Sequence, residues 1–126
     1  MHTTYQIGDN DIRPWGTWEV LNTGDKYIIK KITVKPKKIL SLQKHLHRNE
    51  HWIILQGQGI VTLEKEQFKI KKNDAIYISK NKKHRIENRS KTPLIFIEIQ
   101  TGDILDENDI IRFEDKYGRN QMNKNV

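Results

Sequence analysis

The sequence predicts a single all-β domain, built as an antiparallel sandwich or a small barrel. Short β-prone segments alternate with turn-forming residues at a spacing of roughly 8–12 residues, which is typical of such folds. The 126 residues are enough for one hydrophobic core and leave no room for a second domain. A hydrophobic fraction of 35% and a charged fraction of 31% favour short apolar strands with a solvated exterior over a large helical core.

Nine strands are predicted, and each is bounded by turn-forming residues. The segment Tyr27–Val34 is strongly β-prone, and Pro36 lies in the Lys-rich segment that ends it. The most apolar strand runs into Gln56-Gly57-Gln58-Gly59, which is a hairpin signal. The predicted strands are Thr17–Leu21, Tyr27–Val34, Ile39–His45, Glu50–Leu55, Ile60–Glu64, Gln67–Ile70, Ala75–Ile78, His84–Asn88 and Leu94–Gln100.

The two ends of the chain differ from this pattern. After Gly102 the alternation stops, and Leu105–Lys116 is predicted to hold one short helical or turn segment with Asp106 as its N-cap. We expect residues 1–12 to be extended or loosely ordered and the polar tail after Gly118 to fray. The prediction is therefore one domain over residues 1–126, with its core between about residues 13 and 119.

Several classes of protein are excluded by composition. There is no run of about 18 apolar residues that would predict a membrane span. The segment Met1 to Gly16 lacks the apolar stretch of a secretory signal, so we expect a cytoplasmic protein. The absence of cysteine excludes disulfides, thiolate metal ligands and cysteine nucleophiles.

The net charge of +7, from 23 Lys and Arg against 16 Asp and Glu, has two interpretations. It could attract an anionic partner, either a nucleic acid or a phosphorylated small molecule. It could also reflect a Lys-rich proteome, since most of the basic residues are lysines scattered among Ile and Asn. No basic stripe with interleaved aromatic residues is present, so we expect neither nucleic acid nor membrane as a partner.

Five side chains within nine residues are of the kinds that bind first-row metal ions. They are Gln43, His45, His47, Glu50 and His51. On a β-strand the first three would project from one face, because they alternate with other residues. His84 lies 39 residues downstream of His45 in another predicted strand. We expect the fold to bring His84 back to this cluster.

Two segments resemble the conserved motifs of the cupin family. The first is Gln43-x-His45-(x4)-Glu50-(x6)-Gly57, with Gln where the family has its first His. The second is Asn73-(x5)-Ser79-x-Asn81-(x2)-His84-(x3)-Asn88, with the family's Gly, Pro and Gly replaced. The resemblance implies a jelly-roll β-barrel of the RmlC-like cupin type.

More closely, the chain resembles the C-terminal domain of type II mannose-6-phosphate isomerases, which also carry a mannose-1-phosphate guanylyltransferase domain. The segments that carry the resemblance are Arg13-Pro14-Trp15-Gly16, Ser41-Leu42-Gln43-x-His45-x-His47-Arg48-x-Glu50-His51-Trp52, Lys83-His84-Arg85-Ile86-Glu87-Asn88 and Arg112-Phe113-Glu114-Asp115-x-Tyr117-Gly118-Arg119. Leu46 replaces the middle residue of the family's usual three histidines. The 126 residues hold no guanylyltransferase domain, so we expect a stand-alone domain to which guanylyl transfer cannot be assigned.

The resemblance implies that Gln43, His45, Glu50 and His84 bind a divalent metal ion. The alternative is a polar barrel interior in which the histidines only form hydrogen bonds. A set of oxygen and nitrogen donors without thiolate suits Zn, Mn, Fe, Co or Ni, and we rank Zn first.

The implied reaction interconverts mannose 6-phosphate and fructose 6-phosphate through an enediolate, which requires an acid–base group within hydrogen-bond reach of the substrate. The candidates are His47, His51 and Glu98. His47 shares the strand parity of the ligands and ranks first. Glu98 lies inside an apolar strand, where a carboxylate needs a partner or a function unless it faces solvent.

The substrate phosphate calls for cations, and arginine offers a bidentate fork. Arg48 ranks first because it lies inside the central motif, followed by Arg13, Lys44 and Arg85. Strand parity points Lys44 and Arg85 outward, so surface charge is the favoured interpretation of both.

Three classes of function stay open from the sequence. The first is a metal-dependent sugar-phosphate isomerase, which we prefer. The second is a non-catalytic cupin that binds a sugar or nucleotide-sugar, and the third is a partner subunit of a separate mannose-1-phosphate guanylyltransferase. A homodimer that pairs exposed sheet edges is an open alternative to a monomer.

Overall fold

The computed structural model describes residues 5–115, which form eleven β-strands and no helix. The strands are β1 Asn10–Arg13, β2 Gly16–Gly24, β3 Tyr27–Val34, β4 Leu42–Lys44, β5 Asn49–Gln56, β6 Gln58–Leu63, β7 Glu66–Lys71, β8 Ala75–Ile78, β9 His84–Glu87, β10 Leu94–Thr101 and β11 Ile111–Glu114. The all-β prediction is confirmed. Over this part of the chain there is no helix that is long and apolar enough to cross a bilayer.

The strands form two antiparallel sheets. The six-stranded sheet has the order β1-β2-β3-β10-β5-β8, and the five-stranded sheet has the order β11-β4-β9-β6-β7. Neighbours in sequence are often not neighbours in space: β10 lies between β3 and β5, and β9 lies between β4 and β6. Residues far apart in the chain are therefore brought side by side on the inner faces of the two sheets.

The apolar core follows from strict alternation along the central strands. In β10 the even-numbered residues are buried and the odd-numbered residues are partly exposed. Phe96 lies directly opposite Ile32 on β3 and Ile54 on β5, and all three belong to a core cluster with Val61 and Ile86 of the other sheet. Each aliphatic side chain buried in this way contributes roughly 1.5–3 kcal/mol.

Toward one end of the six-stranded sheet the same inward positions become polar. Glu98 on β10 follows Phe96 by two residues and pairs in register with Lys30 on β3. Gln100 comes next and pairs with Glu50 on β5. All four side chains are buried. This polar end of the barrel interior positions the candidate site.

Asn73 and Asn81 occupy two turn positions at which the cupin motif has glycine. Asn73 and Asn81 adopt positive φ values of 78° and 71°, which asparagine tolerates better than most residues. At Gly57 the φ is +83°, and a Cβ there would lie 2.5 Å from the Pro93 carbonyl oxygen. The asparagines and Gly57 therefore occupy turns that require a positive φ.

The prediction of a helical segment over Leu105–Lys116 was wrong in one respect and correct in another. Within its described part, Asp106–Asp109 forms a turn, in which the Asp106 side chain accepts a hydrogen bond from the Asn108 amide at 2.9 Å. The chain then continues as β11, which pairs with β4. The strand β1 was also missed, because its burial pattern is almost entirely exposed and gives no alternating signal. Residues of the expected frayed tail lie outside the described range.

Candidate metal centre and substrate cavity

A cavity of about 310 Å³ occupies the polar end of the barrel. Its size is at the lower limit of typical small-molecule sites, which run from about 300 to 1,000 Å³. Trp15, Trp18, Trp52 and Phe96 supply much of its apolar wall. The polar lining comes from both sheets and from the turn before β11, and includes most of the side chains that the sequence nominated.

His45, Glu50 and His84 converge in this cavity, and all three are buried. The Nε2 atom of His45 lies 3.1 Å from Oε2 of Glu50, and Nε2 of His84 lies 3.8 Å from Oε1. One donor atom from each residue lies within 4.8 Å of the others. The three side chains could therefore hold a metal ion, as the sequence predicted for these positions.

Hydrogen bonds on the far side of each imidazole orient it for this purpose. The Nδ1 atom of His45 lies 2.7 Å from the Asp109 carbonyl oxygen, and Nδ1 of His84 lies 2.8 Å from the Lys82 carbonyl oxygen. Because a carbonyl only accepts, each Nδ1 carries a proton, which leaves Nε2 as the ring nitrogen that faces Glu50. Burial lowers the pKa of His84 to about 4, so its imidazole is neutral, as a metal ligand must be.

Gln43 is the fourth predicted ligand, and it also lines the cavity. It lies on β4 directly opposite His84 on β9, so the two side chains share a sheet face. Its Nε2 donates a long hydrogen bond of 3.4 Å to the Ser41 carbonyl oxygen. The donor set is therefore amide, carboxylate and two imidazoles, which fits a divalent first-row ion.

Arg48 is bound to the predicted ligands rather than standing apart as a phosphate anchor. Its Nε donates to Oε2 of Glu50 at 2.8 Å, and its Nη2 lies 2.7 Å from the same oxygen and 3.1 Å from Nε2 of His45. Burial alone would raise the pKa of Glu50, but Arg48 and His45 outweigh this and hold it well below its ordinary value. Trp52 Nε1 donates a further hydrogen bond to Oε1 of Glu50 at 2.9 Å. The carboxylate is thus ionised and fixed in place.

Glu98 points into the barrel and does not face solvent. It is 6% exposed, lines the cavity and accepts a hydrogen bond of 2.6 Å from Nε2 of Gln100. Burial, followed by the nearby Glu50 charge, raises the pKa of Glu98 above its ordinary value. A buried carboxyl whose pKa is moved toward neutrality is typical of an acid–base group.

Lys30 was missed by the sequence analysis, although it lines the same cavity. It is 6% exposed, and its Nζ lies 4.2 Å from the centre of the Tyr5 ring and 4.3 Å from the Trp18 ring. Strand parity could have identified it, because Ile28 and Ile32 flank it at inward positions of the same strand.

His47 and His51 are not brought into the cavity. The strand β4 ends at Lys44, and the Asp109 carboxylate accepts hydrogen bonds from the Leu46 and His47 amides at 2.8 and 2.9 Å. The resulting bend breaks the strand parity on which the ranking of His47 depended, and its side chain is exposed. His51 alternates outward from its buried neighbours, and its ring lies 4.5 Å from that of Tyr77.

Of the three remaining phosphate candidates, Arg13 and Arg85 line the cavity and Lys44 does not. Arg85 is paired with Glu114 at 2.9 Å and donates to the Leu40 carbonyl oxygen. Arg13 keeps a side-chain exposure of 35% and forms longer ion pairs of 3.3 Å to Asp11 and 3.7 Å to Glu107. Of the two, Arg13 is the less constrained.

Comparison with known proteins places this chain in a family. Residues 2–115 match the family model described as "Mannose-6-phosphate isomerase C-terminal". The chain is 45% identical over 107 residues to mannose-1-phosphate guanylyltransferase ManC of Salmonella typhimurium, covering 85% of this chain and 22% of that protein. It is 47% identical over 107 residues to the xanthan biosynthesis protein XanB of Xanthomonas campestris, covering 85% of this chain and 23% of XanB.

Among solved structures, the cupin domain of Cnp3 from Schizosaccharomyces pombe superposes with a TM-score of 0.67 at 17% identity, covering 73% of this chain and 74% of that one. This likeness supports the cupin fold alone. The chain spans less than a quarter of the curated relatives it matches. The family model, by contrast, covers nearly all of the chain, including the residues that could hold a metal ion. The chain belongs to the mannose-6-phosphate isomerase C-terminal domain family.

Proposed function

We propose that this protein is a metal-dependent aldose–ketose isomerase that interconverts mannose 6-phosphate and fructose 6-phosphate. The observation that carries the proposal is the convergence of His45, Glu50 and His84 in one cavity with a buried carboxyl group, Glu98. A metal-ligand set beside an acid–base group is what proton transfer next to a carbonyl requires. Membership of the family supports this choice of reaction.

Gln43, His45, Glu50 and His84 would hold the ion. When bound, a divalent ion polarises the substrate carbonyl and stabilises the negative charge that develops on its oxygen. We rank Zn first, with Mn, Co, Ni and Fe as alternatives, since the oxygen and nitrogen donors suit all five.

Glu98 is the proposed group that moves the carbon-bound proton. As a carboxylate it takes the proton from C2 of the open-chain aldose and delivers it to C1 of the enediolate. Its raised pKa suits this role, because a base is most effective when its pKa lies near the working pH. The hydrogen bond from Gln100 fixes the carboxylate that must reach the substrate. His47 and His51 are not retained for this role, because both lie outside the cavity.

Arg13 is the proposed contact for the substrate phosphate. It lines the cavity and is only loosely paired, so an incoming phosphate can compete for its guanidinium. Arg48 has a different proposed role, because its contacts with Glu50 and His45 hold the ligand set in place. Arg85 would have to leave Glu114 before it could bind phosphate.

The test is a coupled assay for conversion of mannose 6-phosphate to fructose 6-phosphate, run on protein stripped of metal and then supplied with Zn, Mn, Co, Ni or Fe singly. We expect metal to restore turnover in the parent protein and not in His84→Ala. Lys31→Met is the matched control, because Lys31 lies on the exposed face of β3. A folded, metal-loaded parent without turnover would refute the isomerase and favour a non-catalytic sugar-binding cupin.

A second candidate is a partner of a guanylyltransferase. It is favoured by the curated relatives from Salmonella typhimurium and Escherichia coli that are named mannose-1-phosphate guanylyltransferase, of which this domain spans less than a quarter. The outer face of the six-stranded sheet exposes Ile53 by 39%, Leu55 by 44% and Tyr77 by 49%, which offers an apolar contact surface. Co-elution with a guanylyltransferase that is lost in Leu55→Asp would support this candidate, and separate elution of the two proteins would refute it.

A further inference from the structure

The side chain of Lys30 is held inside the cavity by two aromatic rings. Its Nζ lies 4.2 Å from the Tyr5 ring centre and 4.3 Å from the Trp18 ring centre, and the two rings meet edge to face at 5.6 Å. Aromatic faces attract an ammonium group but offer no lone pair for its N–H bonds. An ammonium in this clamp is therefore stabilised and still able to donate hydrogen bonds to oxygen atoms in the cavity.

Lys30 also lies beside the proposed base. Lys30 on β3 and Glu98 on β10 occupy opposite positions of the antiparallel pair, so both side chains project to the same inner face. Both residues are 6% exposed and both line the cavity. A cationic acid and an anionic base thus occupy neighbouring positions on the inner face of the sheet. Lys30 on β3 lies two strands from β5, which carries Glu50, and Glu98 on β10 lies one strand from it.

The proposed isomerisation requires two proton transfers, and Glu98 accounts for one of them. The carbon-bound proton moves from C2 to C1. A second proton must leave the hydroxyl oxygen O2, which becomes the ketone, and one must reach O1, which becomes a hydroxyl. A group that donates to O1 and then accepts from O2 would complete the reaction.

We propose that Lys30 is a catalytic residue that transfers this second proton between the two substrate oxygens while Glu98 transfers the carbon-bound one. The inference rests on the proposed isomerase function. As Glu98 takes the C2 proton, the C2–H electron pair forms the C1=C2 double bond, and the former carbonyl electron pair on O1 takes a proton from the Lys30 ammonium. The neutral amine then takes the O2 proton, C2=O2 forms, and the C1=C2 electron pair takes the proton back from Glu98 at C1. Both side chains end in their starting protonation states.

The electrostatic surroundings suit this role. Burial lowers the pKa of Lys30 to about 8, with Arg48 acting in the same direction and Glu98, Glu50 and Glu107 opposing it. Burial also raises the pKa of Glu98. The two groups are therefore closer in proton affinity than free lysine and glutamate, which allows the ammonium to give up its proton near neutral pH.

The test follows mannose 6-phosphate by NMR in deuterated water, where two rates are measured: deuterium entry at C2 of mannose 6-phosphate and formation of fructose 6-phosphate. In Lys30→Met, the enediolate formed by Glu98 cannot complete the oxygen-to-oxygen transfer and returns to the aldose. We expect product formation to fall roughly 100-fold or more, within the usual range for loss of an acid–base group. The ratio of the deuterium-entry rate to the rate of fructose 6-phosphate formation should rise at least about tenfold. Deuterium entry needs only the transfer of the carbon-bound proton by Glu98.

Two further variants separate this role from others. Lys30→Arg keeps the positive charge but does not release its proton, so we expect the same rise in the ratio. Lys31→Met, on the exposed face of the same strand, should behave as the parent. Metal affinity by calorimetry and thermal unfolding would show that the Lys30 variants are folded and loaded.

The possible failures are distinguishable. An active parent whose exchange-to-conversion ratio is unchanged in Lys30→Met overturns the role of Lys30 alone. Full conversion by Lys30→Arg also overturns it, because charge would then be sufficient. A folded, metal-loaded parent that neither exchanges nor converts the substrate overturns the proposed isomerase and this inference with it.

Discussion

The buried ammonium of Lys30 predicts an unusual dependence of stability on alkaline pH. The pKa of Lys30 in the folded protein is about 8, against an ordinary value of 10.5. The unfolded chain therefore binds the proton more tightly, and the folded state is destabilised wherever lysine is charged in the unfolded chain. The penalty is fully present below pH 8 and is relieved as pH rises from the folded pKa toward the unfolded one. At 1.36 kcal/mol per pKa unit the full penalty is about 3 kcal/mol. Most of this penalty is relieved between pH 7 and pH 10.

Urea unfolding of the parent and of Lys30→Met, measured at intervals from pH 7 to pH 10, would test this. The difference in the free energy of unfolding between the two proteins should change in favour of the parent by about 2–3 kcal/mol across this range. The surface lysines are common to both proteins and cancel in the comparison. Lys31→Met should run parallel to the parent, because Lys31 is exposed. Parallel curves for Lys30→Met and the parent would show that Lys30 is not desolvated as the structure indicates, and would refute the reasoning.

Three further predictions concern the metal ligands, the base and the fold. Added Zn at about a hundredfold excess over Kd should stabilise the metal-free parent by about 2.7 kcal/mol in thermal unfolding, and equal stabilisation of His84→Ala would contradict the ligand assignment. Glu98→Gln should lower turnover by about 10²–10⁴-fold with little change in metal affinity, because Glu98 is proposed to move a proton and not to bind the ion. Turnover near that of the parent would exclude Glu98 as the base. Asn88→Ala should lower the free energy of unfolding by about 2–4 kcal/mol in urea titrations, since each buried group left unpaired costs about 1–3 kcal/mol. Asn88 is fully buried and donates to the Val34 and Thr92 carbonyl oxygens at 3.0 and 2.8 Å, and a loss below 1 kcal/mol would mean that these bonds contribute little.

Much of the fold could be predicted because its signals are local. A high content of β-prone residues identified strands such as Tyr27–Val34, which the structure forms with the same bounds. The spacing within the two motifs was sufficient to nominate His45, Glu50 and His84, which converge in the cavity. A motif records residues that face one point, so it can nominate a site without any knowledge of how the strands are ordered.

The errors arose where a distant part of the chain decides the local conformation. The parity argument for His47 failed because the Asp109 carboxylate, 62 residues away in sequence, binds its amide and helps to hold the bend after β4. The segment that forms β11 was predicted as helical or turn. Its strand conformation depends on pairing with the edge of β4, which its own sequence does not indicate. Propensity is a weak guide where tertiary pairing is available.

The sequence by itself determined the all-β class, the family and the candidate ligand positions, since all three depend on residue types at short, fixed spacings. Tertiary structure decided the chemistry of the cavity wall. The sequence alone did not decide whether Glu98 faces solvent or the core. It also did not distinguish Lys30 from the other lysines. Only the pairing of β3 with β10 brings the two together and desolvates both. Desolvation depends on everything packed around a group, so the shifted pKa values of Lys30 and Glu98, and the roles proposed for them, could come only from the folded protein.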